Sequence, residues 1–104
     1  MATKKIKSVL QNEKRCFACG TTKDLEEHHC IYGSANRKKA DKRGLVVWLC
    51  SVDHRTGPAS VHNNPKGPLD IYLKRLAQTY YEEHIGTRED FRKEFGKSFI
   101  LEDE

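Results

Sequence analysis

Cys16 and Cys19 stand three positions apart and are followed at once by Gly20. Two thiolates at this C-x2-C spacing clamp one zinc ion at ~2.3 Å each, and a glycine lets the turn close. A redox dithiol shows the same spacing, so the pair alone is half a signal. Cys50-Ser51-Val52-Asp53-His54 supplies the other half, a third thiolate with Asp53 or His54 as a fourth ligand. Thirty residues separate Cys19 from Cys50, more than the ~12–20 between paired ligands of simple zinc modules. A zinc ion joining them would pin the two ends of an insertion. The plain alternative is a set of unpaired core cysteines, since free cysteine buries well.

Inside that insertion lies Glu26-Glu27-His28-His29-Cys30-Ile31. On an extended strand, neighbouring side chains face opposite ways. Adjacent histidines therefore do not readily grip one ion together. A division of labour is the natural geometry, with one imidazole on a metal and the other facing a substrate or a water. Neutral imidazole ligates divalent ions well, and a pKa near ~6.5 makes it a competent base at neutral pH. A lone histidine is ordinarily structural, but His28, His29, His54 and His62 share one cysteine-bracketed region. His84 lies outside it, near a predicted helix C-terminus, and reads as structural.

The elements that must position these groups belong to a chain of 104 residues, 33% charged and 37% hydrophobic. That length predicts one domain with a thin core. The longest apolar run, 45–50, falls far short of the ~18 residues of a membrane span. The basic N-terminus is not followed by an apolar stretch, so no secretory signal is expected. Four cysteines then point to metal in a reducing cytoplasm rather than to two disulfides. A net charge of +4 tilts the partner toward an anion.

Residues 25–32 and 45–50 are the strand candidates, the second rich in β-branched and aromatic residues. Between them, 33–44 is bounded by glycines and reads as a basic loop, with Arg37, Lys38, Lys39, Lys42 and Arg43 set against Asp41. These cations could contact backbone phosphates, or the run could be a solvated loop. Ile6, Val9 and Leu10 allow a turn or two of helix within 1–15. After Pro65 and Pro68, the spacing of Leu69, Tyr72, Leu73, Leu76 and Tyr80 predicts a helix with one apolar stripe, closed by Gly86. That spacing favours core packing over a base-stacking surface. Thr87 and Asp90 resemble a capping box opening a short helix through Phe91 and Phe95, with Gly96 as its cap. The tail, 97–104, would add a short strand or fray.

Taken in order, Cys16-x2-Cys19, then Leu25-Glu26-Glu27-His28-His29, then the run from Leu45 through Cys50-x2-Asp53-His54 resemble the HNH endonucleases. The likeness spans residue 16 to about 62. It implies an α+β fold: a small zinc-stabilised ββα-metal core over 16–64 with C-terminal helices over 68–96, one domain across 1–104. By that resemblance His29 falls on the general base that activates water, and His28 on a ligand of the catalytic divalent metal, Mg²⁺ or Mn²⁺. His54 falls on a second ligand of that ion, and Cys16, Cys19 and Cys50 fall on ligands of a structural Zn²⁺. Asp53 stands where the family has a fourth cysteine, so the fourth zinc bond comes from Asp53, His54 or Cys30. A zinc-bound His54 would pass its metal role to His62, whose setting, 61–64, would begin a helix. Gly44 and Leu45 stand where the family's central Asn usually precedes the second strand, and Asn36 is the candidate replacement. Arg37 is the candidate phosphate contact.

The reaction so implied is hydrolysis of DNA phosphodiester bonds, leaving 5′-phosphate and 3′-hydroxyl ends. No base-reading helix stands out, so nicking with low sequence specificity is expected. Small proteins of this kind are frequent in phage and prophage genomes, some beside the terminase, which makes DNA and a phage terminase the expected partners. The main rival is a non-catalytic zinc-dependent nucleic-acid-binding module, which would need neither His28 nor His29. A redox protein using Cys16 and Cys19 would leave Cys50 and the histidines unexplained.

Overall fold

The alternation in Leu25-Glu26-Glu27-His28-His29 sorts the chain's acids and histidines before any tertiary contact forms. These five residues are strand β1 (Leu25–His29), hydrogen-bonded antiparallel to β2 (Val46–Cys50) in a computed structural model that describes residues 8–33, 35–58 and 60–100. The register pairs Leu25 with Cys50, Glu26 with Leu49, Glu27 with Trp48, His28 with Val47 and His29 with Val46. Directly paired residues share a face. Glu26 and His28 thus lie with Leu49 and Val47, while Glu27 and His29 lie with Trp48 and Val46. β1 stops three residues short of its predicted end at 32 and β2 begins at 46 instead of 45, where the Cys30 N–H bonds back to the Leu45 carbonyl as the chain turns away.

The segment between the strands corrects the sequence reading. It is not a loop but carries helix α1 (Asn36–Lys42). Arg, Lys and Ala are good helix formers, and the glycines mark its flanks instead of filling a loop. Gly44 is left-handed at φ 73°, where a side chain would be strained. Lys39 and Lys42 in the last turn face the negative end of the helix dipole.

After β2 the chain makes one wide π-type turn, Val52–Thr56, closed by a Gly57 N–H to Val52 carbonyl bond. Residues 61–64 form turns rather than the start of a helix. Helix α2 (Pro68–His84) places Pro68 in its first turn, where the missing N–H costs nothing. The capping box at Thr87 and Asp90 forms as predicted and opens α3 (Arg88–Phe95), which Gly96 ends in the left-handed region.

One core gathers Cys30, Ile31, Leu45, Val47 and Leu49 from around the sheet and Leu73, Ala77, Tyr81, Phe91 and Phe95 from the helices. The buried stripe of α2 is therefore rotated from the predicted one. Tyr72 is 57% exposed, and Leu69, Leu76 and Tyr80 are only partly buried. Asp70 and Gln78 occupy buried positions on that stripe because each has partners there: Asp70 bonds Lys74 and the Lys66 N–H, and Gln78 bonds Phe99 and Ser98. The predicted N-terminal helix does not form around Val9 and Leu10, and Ile6 lies outside the described residues. Residues 97–100 form no strand, and 101–104 also lie outside. The molecule is a small α+β domain, and among its described residues no helix is long and apolar enough to cross a membrane.

Candidate metal centre

The C-x2-C turn folds as a knuckle. The Gly20 N–H reaches the Cys16 carbonyl, the Cys16 N–H reaches Thr21, and the Cys19 N–H points at the Cys16 sulfur at 3.4 Å. Phe17 donates to the Trp48 carbonyl, which fastens the knuckle to β2. Cys50 ends that strand, and the π turn brings Asp53 back over it. One ligand atom each from Cys16, Cys19, Cys50 and Asp53 lie within 4.8 Å of one another. Cys19 and Cys50 sulfurs are 3.8 Å apart, about the ~3.8 Å between two corners of a tetrahedron with ~2.3 Å bonds. Asp53 Oδ2 lies 3.2 Å from the Cys16 sulfur and 3.3 Å from that of Cys50. Hydrogen bonding from Cys16 holds the Asp53 carboxyl below its usual range. This donor set of three sulfurs and a carboxylate fits zinc.

Cys30 does not join it. It is fully buried in the apolar core, where burial pushes its thiol up and disfavours a thiolate. Asp53 and His54, adjacent on the π turn, part company: Asp53 turns to the cysteines and His54 to the histidines.

His28, His54 and His62 form the second cluster, again within 4.8 Å by ligand atoms. The Nε2 atoms of His54 and His62 face each other at 3.0 Å. His54 Nδ1 lies 2.7 Å from Glu26 Oε1. An ionised carboxylate only accepts, so that nitrogen carries the proton and Nε2 of the neutral ring is bare. The His54 bond holds the Glu26 carboxyl below its ordinary range. His28 is 4% exposed, and its Nε2 is buried without a hydrogen-bond partner. Burial pushes this imidazole down to about 3, so it is neutral. An orphaned buried nitrogen is costly in a folded protein. Beside two further imidazoles, it fits a divalent cation held by His28, His54 and His62.

His29 leaves β1 on the opposite face, as alternation requires. Its Nε2 is 2.9 Å from Asp41 Oδ1 and 3.6 Å from Glu27 Oε1. Both histidines nevertheless line one cavity of about 510 Å³, together with Glu27, Arg37, His54 and His62. Against protein-family models, curated proteins and solved structures, the chain finds no match. The site is read from its geometry.

Arg37 alone of the α1 cations lines this cavity. Lys39, Lys42 and Arg43 instead line a separate cleft of about 650 Å³ with Tyr80, His84 and Glu94. Two of them are engaged there. Arg43 grips both Glu94 carboxylate oxygens, and Lys39 Nζ donates to the Glu94 carbonyl at 2.6 Å. Lys38 is exposed on α1. Asn36 is committed to structure: its Nδ2 donates to the Phe95 carbonyl at 3.0 Å. It thus ties α1 to α3 and is not among the residues lining the cavity. His84 stacks on Tyr80 at the end of α2.

Among the residues of the site that escaped the sequence reading are Glu26, Asp41 and Tyr32. Glu26 backs His54, and its place two residues before His28 on one strand face was the available signal. Asp41, the lone acid of a basic segment, meets His29. Tyr32, at the cavity wall under the Lys74 ammonium, gave no signal at all.

Proposed function

We propose that the chain is a metal-dependent endonuclease of the HNH type, with a ββα-metal core that hydrolyses DNA phosphodiester bonds. One observation carries this reading. Three imidazoles converge around a buried, unpartnered nitrogen, while the next residue, His29, leaves the strand on the other face yet lines the same cavity. That is the division between metal ligand and base that phosphodiester hydrolysis needs.

In this reading His28, His54 and His62 hold one Mg²⁺ or Mn²⁺, which when bound neutralises charge on the phosphate and on the departing 3′ oxygen. His29 takes a proton from the attacking water, a contribution worth ~10²–10⁴ in rate. Arg37, exposed at the cavity rim, contacts a phosphate oxygen. Cys16, Cys19, Cys50 and Asp53 hold a structural Zn²⁺ that joins the knuckle to the end of β2. The exposed cations of α1 contribute salt-dependent contacts to the DNA backbone. The reading includes a cytoplasmic site of action, where a reducing environment keeps thiols available to zinc.

The test is cleavage of supercoiled plasmid by zinc-loaded protein with EDTA, Mg²⁺, Mn²⁺ or added Zn²⁺. Nicking with Mg²⁺ or Mn²⁺, abolished by EDTA and lowered by ~10²–10⁴ in His29→Ala, is expected. Tight plasmid binding with no cleavage under any metal would replace this reading with a zinc-dependent nucleic-acid-binding module.

A further inference from the structure

Two histidines of the cavity, His54 and His29, are each held by a carboxylate, and the two carboxylates come from different elements. His54 is held by Glu26 from β1. His29 is held by Asp41, which α1 carries in from the intervening segment. Two carboxylates, Asp41 and Glu27, lie near one ring nitrogen of His29, Nε2. Since ionised carboxylates only accept, that nitrogen bears the proton, and in the neutral ring Nδ1 is bare.

The placement of Asp41 is not left to a loose loop. Asn36 is bonded to Phe95, and Lys39 and Arg43 to Glu94, so α1 is fastened along its length to α3. The Gly44 N–H also closes onto the Asp41 carbonyl. A short helix held at both ends carries its last-turn carboxylate to a fixed point against β1.

We infer that Asp41 is a positioning residue for His29, selecting the Nε2–H tautomer and leaving Nδ1 as the nitrogen that accepts the proton from water. This rests on the nuclease reading above. In the step, the water proton passes to Nδ1 as the water oxygen forms the new bond to phosphorus. The bond from phosphorus to the 3′ oxygen breaks, and that oxygen takes a proton from solvent. The imidazolium left behind faces the Asp41 carboxylate, which stabilises its charge, and then returns its proton to solvent.

The experiment compares wild type, Asp41→Asn and Asp41→Ala as zinc-loaded proteins, by plasmid-nicking kinetics in Mn²⁺, bound-manganese stoichiometry and ¹⁵N NMR of the histidine side chains. Expected are a ~10–100-fold fall in kcat for Asp41→Ala with KM little changed, smaller than the ~10²–10⁴ loss for His29→Ala. Asp41→Asn, which keeps an acceptor oxygen, should fall between wild type and Asp41→Ala. The His29 spectrum should read Nε2–H in wild type and a tautomer mixture in Asp41→Ala. An unchanged kcat, or an unchanged His29 tautomer, overturns the assignment. Loss of one manganese equivalent in both Asp41 variants would also overturn it, by making Glu27, His29 and Asp41 a cation site. A wild type that binds but never nicks would remove the nuclease reading, while the NMR arm, read on the resting protein, still decides the tautomer.

Discussion

The cysteine cluster and the histidine cluster meet at one π turn, which gives Asp53 to the first and His54 to the second, yet they are built on opposite plans. In the first, every donor lies in a turn or at the end of a strand: the knuckle, the last residue of β2, the π turn after it. The donors sit where segments meet, so an ion there would join segments. In the second, His28 comes from the interior of a strand whose position the core already fixes, and Glu26 braces His54 from the same strand. The first arrangement is a fastening, and the second is a prepared surface with a cavity in front of it. The difference teaches that removing a group from each should fail differently.

Breaking the fastening should have the larger effect on the fold. Cys16→Ala, or chelation of the zinc, should lower the thermal midpoint by more than ~15 °C, since structural zinc sites carry much of the folding free energy of small domains. His29→Ala should leave that midpoint within a few degrees. Calorimetry on the two variants side by side checks the contrast, and equal midpoints for wild type and Cys16→Ala would erase it.

Removing the brace of the prepared surface should cost less. Glu26→Ala frees the His54 ring and should weaken Mn²⁺ binding by ~10–100-fold without releasing zinc, as loss of partners behind metal ligands does. Titration calorimetry with Mn²⁺ on zinc-loaded protein measures this; unchanged affinity would show that the core alone orients His54.

The smallest effect lies outside both clusters. Hydrogen bonding from Arg43 holds the Glu94 carboxyl below its ordinary value of 4.5. A carboxyl lowered on folding adds stability that is full above its unfolded value and lost as pH falls through its folded one. Glu94→Gln should therefore cost about 1 kcal/mol at neutral pH, as expected of a largely surface pair. The gap between variant and wild-type midpoints should close as pH drops below about 4.5. A gap that stays constant down to acid pH would assign the cost to shape instead of charge.

Where alternation or a local spacing rule governs, the sequence was readable. The split of His28 from His29 follows from strand geometry, and the capping box at Thr87 from three residues of local chemistry. The knuckle was legible in Cys16, Cys19 and Gly20, and its fourth partner was narrowed to three candidates. Separating Asp53 from His54 needed the curvature of the π turn, which no residue pattern announces. Asn36 was matched to a role by residue type, whereas its true partner, Phe95, lies 59 positions away. Reading 33–44 as a loop hid Asp41 altogether, because only a helix brings that carboxylate back to β1. Tyr72 was misplaced on α2 because Asp70 and Gln78, polar by type, take buried positions through tertiary hydrogen bonds.

The edge of β2 away from β1 is not open to solvent. The Gln11 side chain accepts the Trp48 N–H at 2.7 Å, and the Phe17 N–H donates to the Trp48 carbonyl at 2.8 Å. The segment leading into the knuckle therefore acts as a sheath for the most apolar strand of the protein. Cutting the chain back past Phe17 would strip that sheath along with the Cys16 thiolate. It would bare a β-branched, aromatic strand edge of the kind that recruits a second copy edge to edge. The first residues of the described chain thus cover a strand edge as well as lead into the knuckle.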